Sequence, residues 1–172
     1  MNDTQVYIRV ATAHDGEKLR AMFSRASSET IYKRFHVPYP EVPEWMVTLM
    51  LGTDHHDEES LVAVAEEKIV AHAMYVRLED ETEAEMAIVV EDGWQSKGVG
   101  KSLLSELAAR ARVRGIETFT GEVLGTNRPM LGLAAMFQGT KYTTEDSVYH
   151  VRMPLRTPEA AAHDARTLPR AA

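Results

Sequence analysis

The sequence predicts a mixed α/β (α+β) domain in which a central, twisted, mixed β-sheet of about six to seven strands is flanked by helices. Three observations carry this. The apolar pattern changes period along the chain in the order strand, helices, three strands, helix, strand, helix, strand. Met86, Ala87, Ile88, Val89 and Val90 make an almost continuous apolar run over residues 85–90, as in a strand buried on both faces at the middle of a sheet. Val99, Leu103, Leu104, Leu107 and Ala111 then mark one face of a long helix.

Residues 5–10 alternate and are rich in β-branched side chains, which predicts the first strand. Thr12 with Asp15 three residues later makes a capping-box-like start, after which Leu19, Met22, Phe23 and Ala26 share a helical face. A second short helix begins at Ser27 or Ser28 and runs through Ile31 to Phe35, ended by Pro38 and Pro40. Beyond Pro43, Trp45, Leu49 and Met50 predict one or two further turns. The polar stretch 52–60 precedes two apolar runs, 61–66 and 69–78, joined at Glu67 and Lys68 as a hairpin whose turn lacks glycine. Residues 98–114 form the best-marked helix, with Arg110, Arg112 and Arg114 near its negative end and Gly115 as its stop. A strand over 116–124, a helix over 129–137 with Pro129 in its first turn, and a last strand over 148–153 complete the order. Residues 1–153 therefore read as one domain, and 154–172, with their alanines and prolines, as a flexible tail.

A chain of 172 residues supports one core that buries roughly 70% of the unfolded surface, so no covalent staple is required. There is no cysteine, which excludes disulfides, thiolate metal sites and acyl transfer through a thiol nucleophile. The net charge of -7 argues against a nucleic-acid partner and leaves cationic or small polar substrates as the better match. No stretch approaches the ~20 apolar residues of a membrane span. The start Met1-Asn2-Asp3-Thr4-Gln5 lacks the positive and apolar segments of a secretory signal, so a cytoplasmic protein is expected, as a monomer or homodimer.

Between the buried strand and the long helix lies Glu91-Asp92-Gly93-Trp94-Gln95-Ser96-Lys97-Gly98-Val99-Gly100-Lys101. Gly98 and Gly100 let the backbone approach a ligand, and the unpaired N–H groups of the helix start suit an anion such as a pyrophosphate. The plainer alternative is a tight strand-to-helix turn. A P-loop is also suggested by Gly98-Val99-Gly100-Lys101-Ser102, but that motif needs a glycine where Gln95 stands.

Gln95-Ser96-Lys97-Gly98-Val99-Gly100 resembles the Gln/Arg-x-x-Gly-x-Gly/Ala signature of the GNAT superfamily of N-acetyltransferases, and Asn127, Met130, Leu133 and Ala134 look like its second cofactor-proximal helix. The resemblance spans about residues 5 to 153. Ser28-Glu29-Thr30-Ile31-Tyr32-Lys33-Arg34-Phe35 and residues 54–64 look more specifically like the catalytic domain of bacterial Pat-type protein-lysine acetyltransferases. The resemblance implies the GNAT fold, acetyl-CoA as co-substrate, and direct transfer of the acetyl group to a primary amine such as a protein lysine, with acyl-CoA synthetases among the acceptors. A small-molecule amine is the alternative acceptor, and a CoA-binding sensor without turnover the alternative function. It also implies that Ile88, Val89, Val90, Gln95, Ser96, Lys97, Gly98, Val99, Gly100, Lys101, Asn127 and Met130 contact the cofactor. Asn127 reads equally as a helix cap before Pro129.

A lysine with a pKa near ~10.4 must lose a proton before it attacks a thioester, at about 4.6 kcal/mol at neutral pH. Glu85, which resembles the acidic residue of the Pat-type pattern Ala-Glu-hydrophobic-Ala, is the candidate general base, working through a water; Glu83 shares its strand face and is the substitute. Both also read as a solvated acidic strand end. Two departures from the family pattern stand out. The tyrosine expected eight residues after Asn127 is Ala135, so no general acid is evident, and the usual Gly-Phe is Gly139-Thr140. Residues 55–59 (His-His-Asp-Glu-Glu) have poor spacing for convergence on a metal, so none is expected. His72 reads as a packed histidine. Tyr32, Arg34 and Phe35 fit core or helix surface as well as substrate contacts.

Overall fold

In the computed structural model, which describes residues 5–143 and 147–155, the apolar runs pair into one seven-stranded sheet of order β1-β2-β3-β4-β5-β7-β6. The strands are β1 (Tyr7–Val10), β2 (Glu58–Ala65), β3 (Lys68–Arg77), β4 (Glu83–Val90), β5 (Thr118–Leu124), β6 (Thr140–Thr143) and β7 (Val148–Pro154). All neighbours are antiparallel except β4 and β5. Alternation along β2 sends Leu61, Ala63 and Ala65 to one face and Val62 and Val64 to the other, so the sheet has a core on each side. The first lies under α4 (Val99–Val113) and α5 (Arg128–Met136), and the second under α1 (Gly16–Arg25), α2 (Ser28–Phe35) and α3 (Glu44–Leu51). The mixed sheet flanked by helices is as the sequence predicts.

Some boundaries differ, for physical reasons. The hairpin between β2 and β3 turns one residue earlier than predicted: Ala65 pairs with Lys68, and the loop residues Glu66 and Glu67 both have positive φ, 49° and 62°. That is the conformation whose twist suits a two-residue hairpin, adopted here without glycine. β2 also begins inside the polar stretch. Its Glu59 is fully buried, but His55 lies 2.8 Å from it, and Arg110 and Arg114 reach it at 3.5 and 3.4 Å from the end of α4. Charge pairing rather than apolarity keeps this strand start inside.

β6 is an unpredicted edge strand, four exposed residues paired to β7. The turn before it needs glycine, since a Cβ on Gly139 would sit 2.8 Å from the Ala134 carbonyl oxygen. β7 runs on to Pro154, and Leu155 is buried, its N–H donating to the Glu117 carbonyl. The rest of the tail predicted from residue 154 lies outside the described residues. Among the described residues, no helix is long and apolar enough to cross a membrane.

The feature that positions the site is the contact between β4 and β5. Their parallel register covers only Glu83–Thr118, Ala84–Phe119 and Glu85–Thr120. Beyond these pairs the two strands continue unpaired with each other, and the helix after β4 starts beside the gap.

Candidate active site

The turn from β4 into α4 is built for close backbone approach. Gly98, the N-cap of α4, has φ 83°, where a side chain is strained even though a Cβ would meet nothing within 4 Å. Gly100 has no such backbone need. A Cβ there would point at Val90, Ile88 and Leu133 at ordinary contact distances, into the space the loop borders. With no acidic residue in the first turn of α4 and no side-chain cap, its leading N–H groups are left for a ligand.

Two carboxylates tie this turn to the other side of the sheet. Asp92 accepts from the Ser27 N–H (2.8 Å), the Ser27 hydroxyl (2.6 Å) and the Thr30 hydroxyl (3.0 Å). Burial opposes its ionisation, yet these bonds outweigh it and hold Asp92 below the ordinary carboxylate range. Glu91 pairs with Arg25 at 2.7 Å, and Arg25 also donates to the Ile69 carbonyl. Gln95 completes the tie, its Nε2 donating to Thr30 Oγ1 (3.1 Å) and to the Val90 carbonyl (3.0 Å). The side chain of Gln95 thus locks loop to strand.

A cavity of about 420 Å3 opens at this turn. Its walls are Thr30, Lys33 and Arg34 from α2, Ile88 to Val90 from β4, the α4 start, and one side of α5 from Asn127 to Met136. Lys33, Arg34 and Lys101 line it and no Asp or Glu does, although the chain carries 26 acidic against 19 basic residues. An acidic protein has thus placed cations around an apolar trough, the chemistry of a long ligand with anionic and apolar parts.

Of the residues the sequence singled out, Ile88, Val89, Val90, Gln95, Ser96, Gly98, Gly100, Lys101, Asn127 and Met130 line this cavity. Lys97 and Val99 do not. Lys97 lies over the Trp94 ring, its Nζ 5.0 Å from the centroid, and the Val99 side chain is buried on the apolar face of α4. Asn127 caps α5, its side chain accepting from the Met130 N–H at 3.3 Å, while also bordering the cavity. Ala135 is exposed and absent from the lining, and no Tyr, His or Cys takes its place there. Sequence reasoning left Thr30 and Lys33 unassigned and Arg34 ambiguous. The available signal was the polar spacing Ser27, Thr30, Arg34 on one helical side.

Glu85 is exposed on the α2 face of β4, opposite Val76 and Thr120 and about 13 Å along the strand from Val89. Glu83 is engaged instead in a two-point ion pair with Arg152 of β7. The orientation of α2 follows from its contacts. Thr30 meets the loop end of the cavity, and Arg34, one turn on, feels the charge of Glu85. Burial lowers Arg34 to about 10, with Glu85 acting against it.

His72 is packed in the core, as the sequence suggests. Its Nε2 is 2.9 Å from the Ser60 hydroxyl, and burial, then the Arg34 charge, bring it down to about 3. His55 and His56 are engaged by Glu59 and Asp57 at 2.8 and 2.9 Å.

Known proteins resemble this chain in sequence and fold. The model of the acetyltransferase (GNAT) family matches residues 19–139. The chain is 29% identical over 127 residues to the acetyltransferase Pat of Mycolicibacterium smegmatis, covering 72% of this chain and 38% of that protein. It therefore spans under two-fifths of the length of that curated relative. Among solved structures, it is similar to the GNAT domain of S. lividans PAT, at 31% identity over 87% of this chain and 90% of that one, with a TM-score of 0.82. An N-acetyltransferase from Staphylococcus aureus Mu50 shares the fold at 16% identity and a TM-score of 0.72, over 89% and 100% of the two chains.

Proposed function

The chain belongs to the acetyltransferase (GNAT) family, and from that premise we propose that it transfers an acetyl group directly from acetyl-CoA to a primary amine, with a protein lysine as acceptor. The carrying observation is the cavity: three cations and no carboxylate line an apolar trough that ends at the open N-terminus of α4. In this reading, the leading N–H groups of α4 with Lys101 take the pyrophosphate, as helix starts do for anions. Ile88, Val90, Met130 and Leu133 flank the methyl and methylene parts of the pantetheine arm, which brings the thioester toward the gap where β4 and β5 separate.

Glu85 then serves as general base. Its exposed position leaves it open to the solvent side from which an amine arrives, and a bridging water carries the proton. After that first proton has gone, the amine nitrogen bonds to the carbonyl carbon, the carbon–sulfur bond breaks, the CoA thiolate leaves, and the second proton of the nitrogen passes to solvent. With a thiol pKa near ~8.5, that thiolate is a tolerable leaving group, so transfer proceeds without a tyrosine at Ala135. Glu83 is the weaker candidate because Arg152 already neutralises it.

The protein acceptor is supported by the resemblance of residues 28–35 and 54–64 to Pat-type catalytic domains, and acyl-CoA synthetases are the first acceptors to try. A cytoplasmic location fits this role. The test is release of free CoA from acetyl-CoA on addition of lysine-bearing proteins, compared with small amines. Release with proteins is the expected result. Release with small amines alone overturns the protein acceptor, and binding without release to any acceptor leaves a CoA sensor.

A further inference from the structure

Arg9, Arg25, Arg77, Arg110, Arg114 and Arg152 each have a carboxylate within 4 Å. Arg34 has none among the described residues, although it is the arginine that lines the cavity. Its Nε is buried without a hydrogen-bond partner. The guanidinium rests on the Phe35 ring, Cζ 4.7 Å from the centroid, and Phe35 is itself fixed between Phe23 and Tyr39, each 5.6 Å away. A half-buried cation loses hydration, and the usual compensation is an opposite charge. Here the fold provides an aromatic seat and, among the described residues, no carboxylate within 4 Å, Glu85 acting only from further away.

The position of Arg34 narrows what the missing anion is. Thr30 marks the loop end of the cavity, where Lys101 and the helix start meet a pyrophosphate in the reading above; Arg34 lies a turn further along α2, where it senses Glu85. That is the end at which the acyl group and the amine meet. A planar guanidinium with free donors matches a carboxylate, the anion that a dicarboxylic acyl group or an amino acid carries.

We propose that Arg34 binds a carboxylate carried by one of the two reactants next to the bond being formed, either at the far end of the acyl group or on the amine acceptor. The site thereby favours a dicarboxylic acyl thioester over the acetyl one, or an amine with a carboxylate nearby, such as a protein lysine beside an acidic side chain, over the neutral counterpart. This rests on the cavity being an acyl-CoA site. Burial leaves Arg34 charged at neutral pH, since its pKa falls only to about 10.

Calorimetry on the full chain tests this without requiring turnover. One arm compares succinyl-CoA with butyryl-CoA, which differ in the terminal carboxylate. The other compares lysine with cadaverine, which differ in the α-carboxylate, on protein saturated with CoA. In one arm the carboxylate-bearing ligand is expected to bind about tenfold or more tightly. That preference is expected to vanish in Arg34→Met and to survive in part in Arg34→Lys. The arm that shows it identifies the carrier. Equal binding in both arms of the wild-type chain, or a preference unchanged in Arg34→Met, overturns the proposal while leaving the acyl-CoA reading intact. Failure of acetyl-CoA itself to bind overturns both. The wild-type comparison stands by itself if the Met variant does not fold.

Discussion

Arg34 lines the cavity from α2 and feels the charge of Glu85, the residue proposed as general base on β4. Removing the basicity of Glu85 while keeping its shape, as in Glu85→Gln, is expected to lower turnover about a hundredfold or more and to leave acetyl-CoA affinity unchanged. Steady-state rates with calorimetry check this, and an unaltered rate would place the base elsewhere. Glu85 stands out in the sequence as the candidate base because the strand pattern and the family resemblance meet at one residue. Arg34 does not. A basic residue next to a phenylalanine on a short amphipathic helix reads equally well as surface, and only the packed structure shows its buried Nε without a hydrogen-bond partner.

The turn between β4 and α4 works as a unit with α2. Asp92→Ala would remove three hydrogen bonds to Ser27 and Thr30, with an expected loss of about 1–3 kcal/mol of stability and weaker acetyl-CoA binding. Denaturant unfolding and calorimetry measure the two effects, and a variant unchanged in both would show that α2 and the loop are independent. Gly98→Ala acts differently. Its Cβ meets no atom within 4 Å, so the expected penalty of about 1–2 kcal/mol is purely conformational, from φ 83°. The glycine loop was readable because backbone requirements leave a sequence signature. The tie to α2 was hidden because it joins short polar side chains 62 and 65 residues apart. β6 was missed for a related reason, since four exposed residues on an edge carry no apolar pattern.

At the scale of the molecule, the buried ionisable groups set the response to acid. His72 is held neutral with a folded pKa of about 3 against 6.5 when unfolded, so protons bind the unfolded chain preferentially between those values. Stability therefore falls as pH drops from 6.5 toward 3, by about 1 kcal/mol per unit. Asp15, lowered to about 2 by its Arg9 hydrogen bonds, adds a second loss as pH falls from 3.8 to 2. Thermal melting against pH is expected to show both phases, and His72→Gln to flatten the first; an unchanged slope would remove His72 as the cause.

The same chain keeps a net charge of -7 overall while surrounding one trough with cations, and that contrast underlies the functional assignment. Competitive calorimetry with acetyl-CoA and ATP tests it most directly, because both carry phosphates and only one carries the long pantetheine arm. One-to-one binding of acetyl-CoA that excess ATP does not displace is the expected result. Preferential binding of ATP would contradict it, showing that the α4 start serves a nucleotide and that the apolar trough along β4 is not a thioester site.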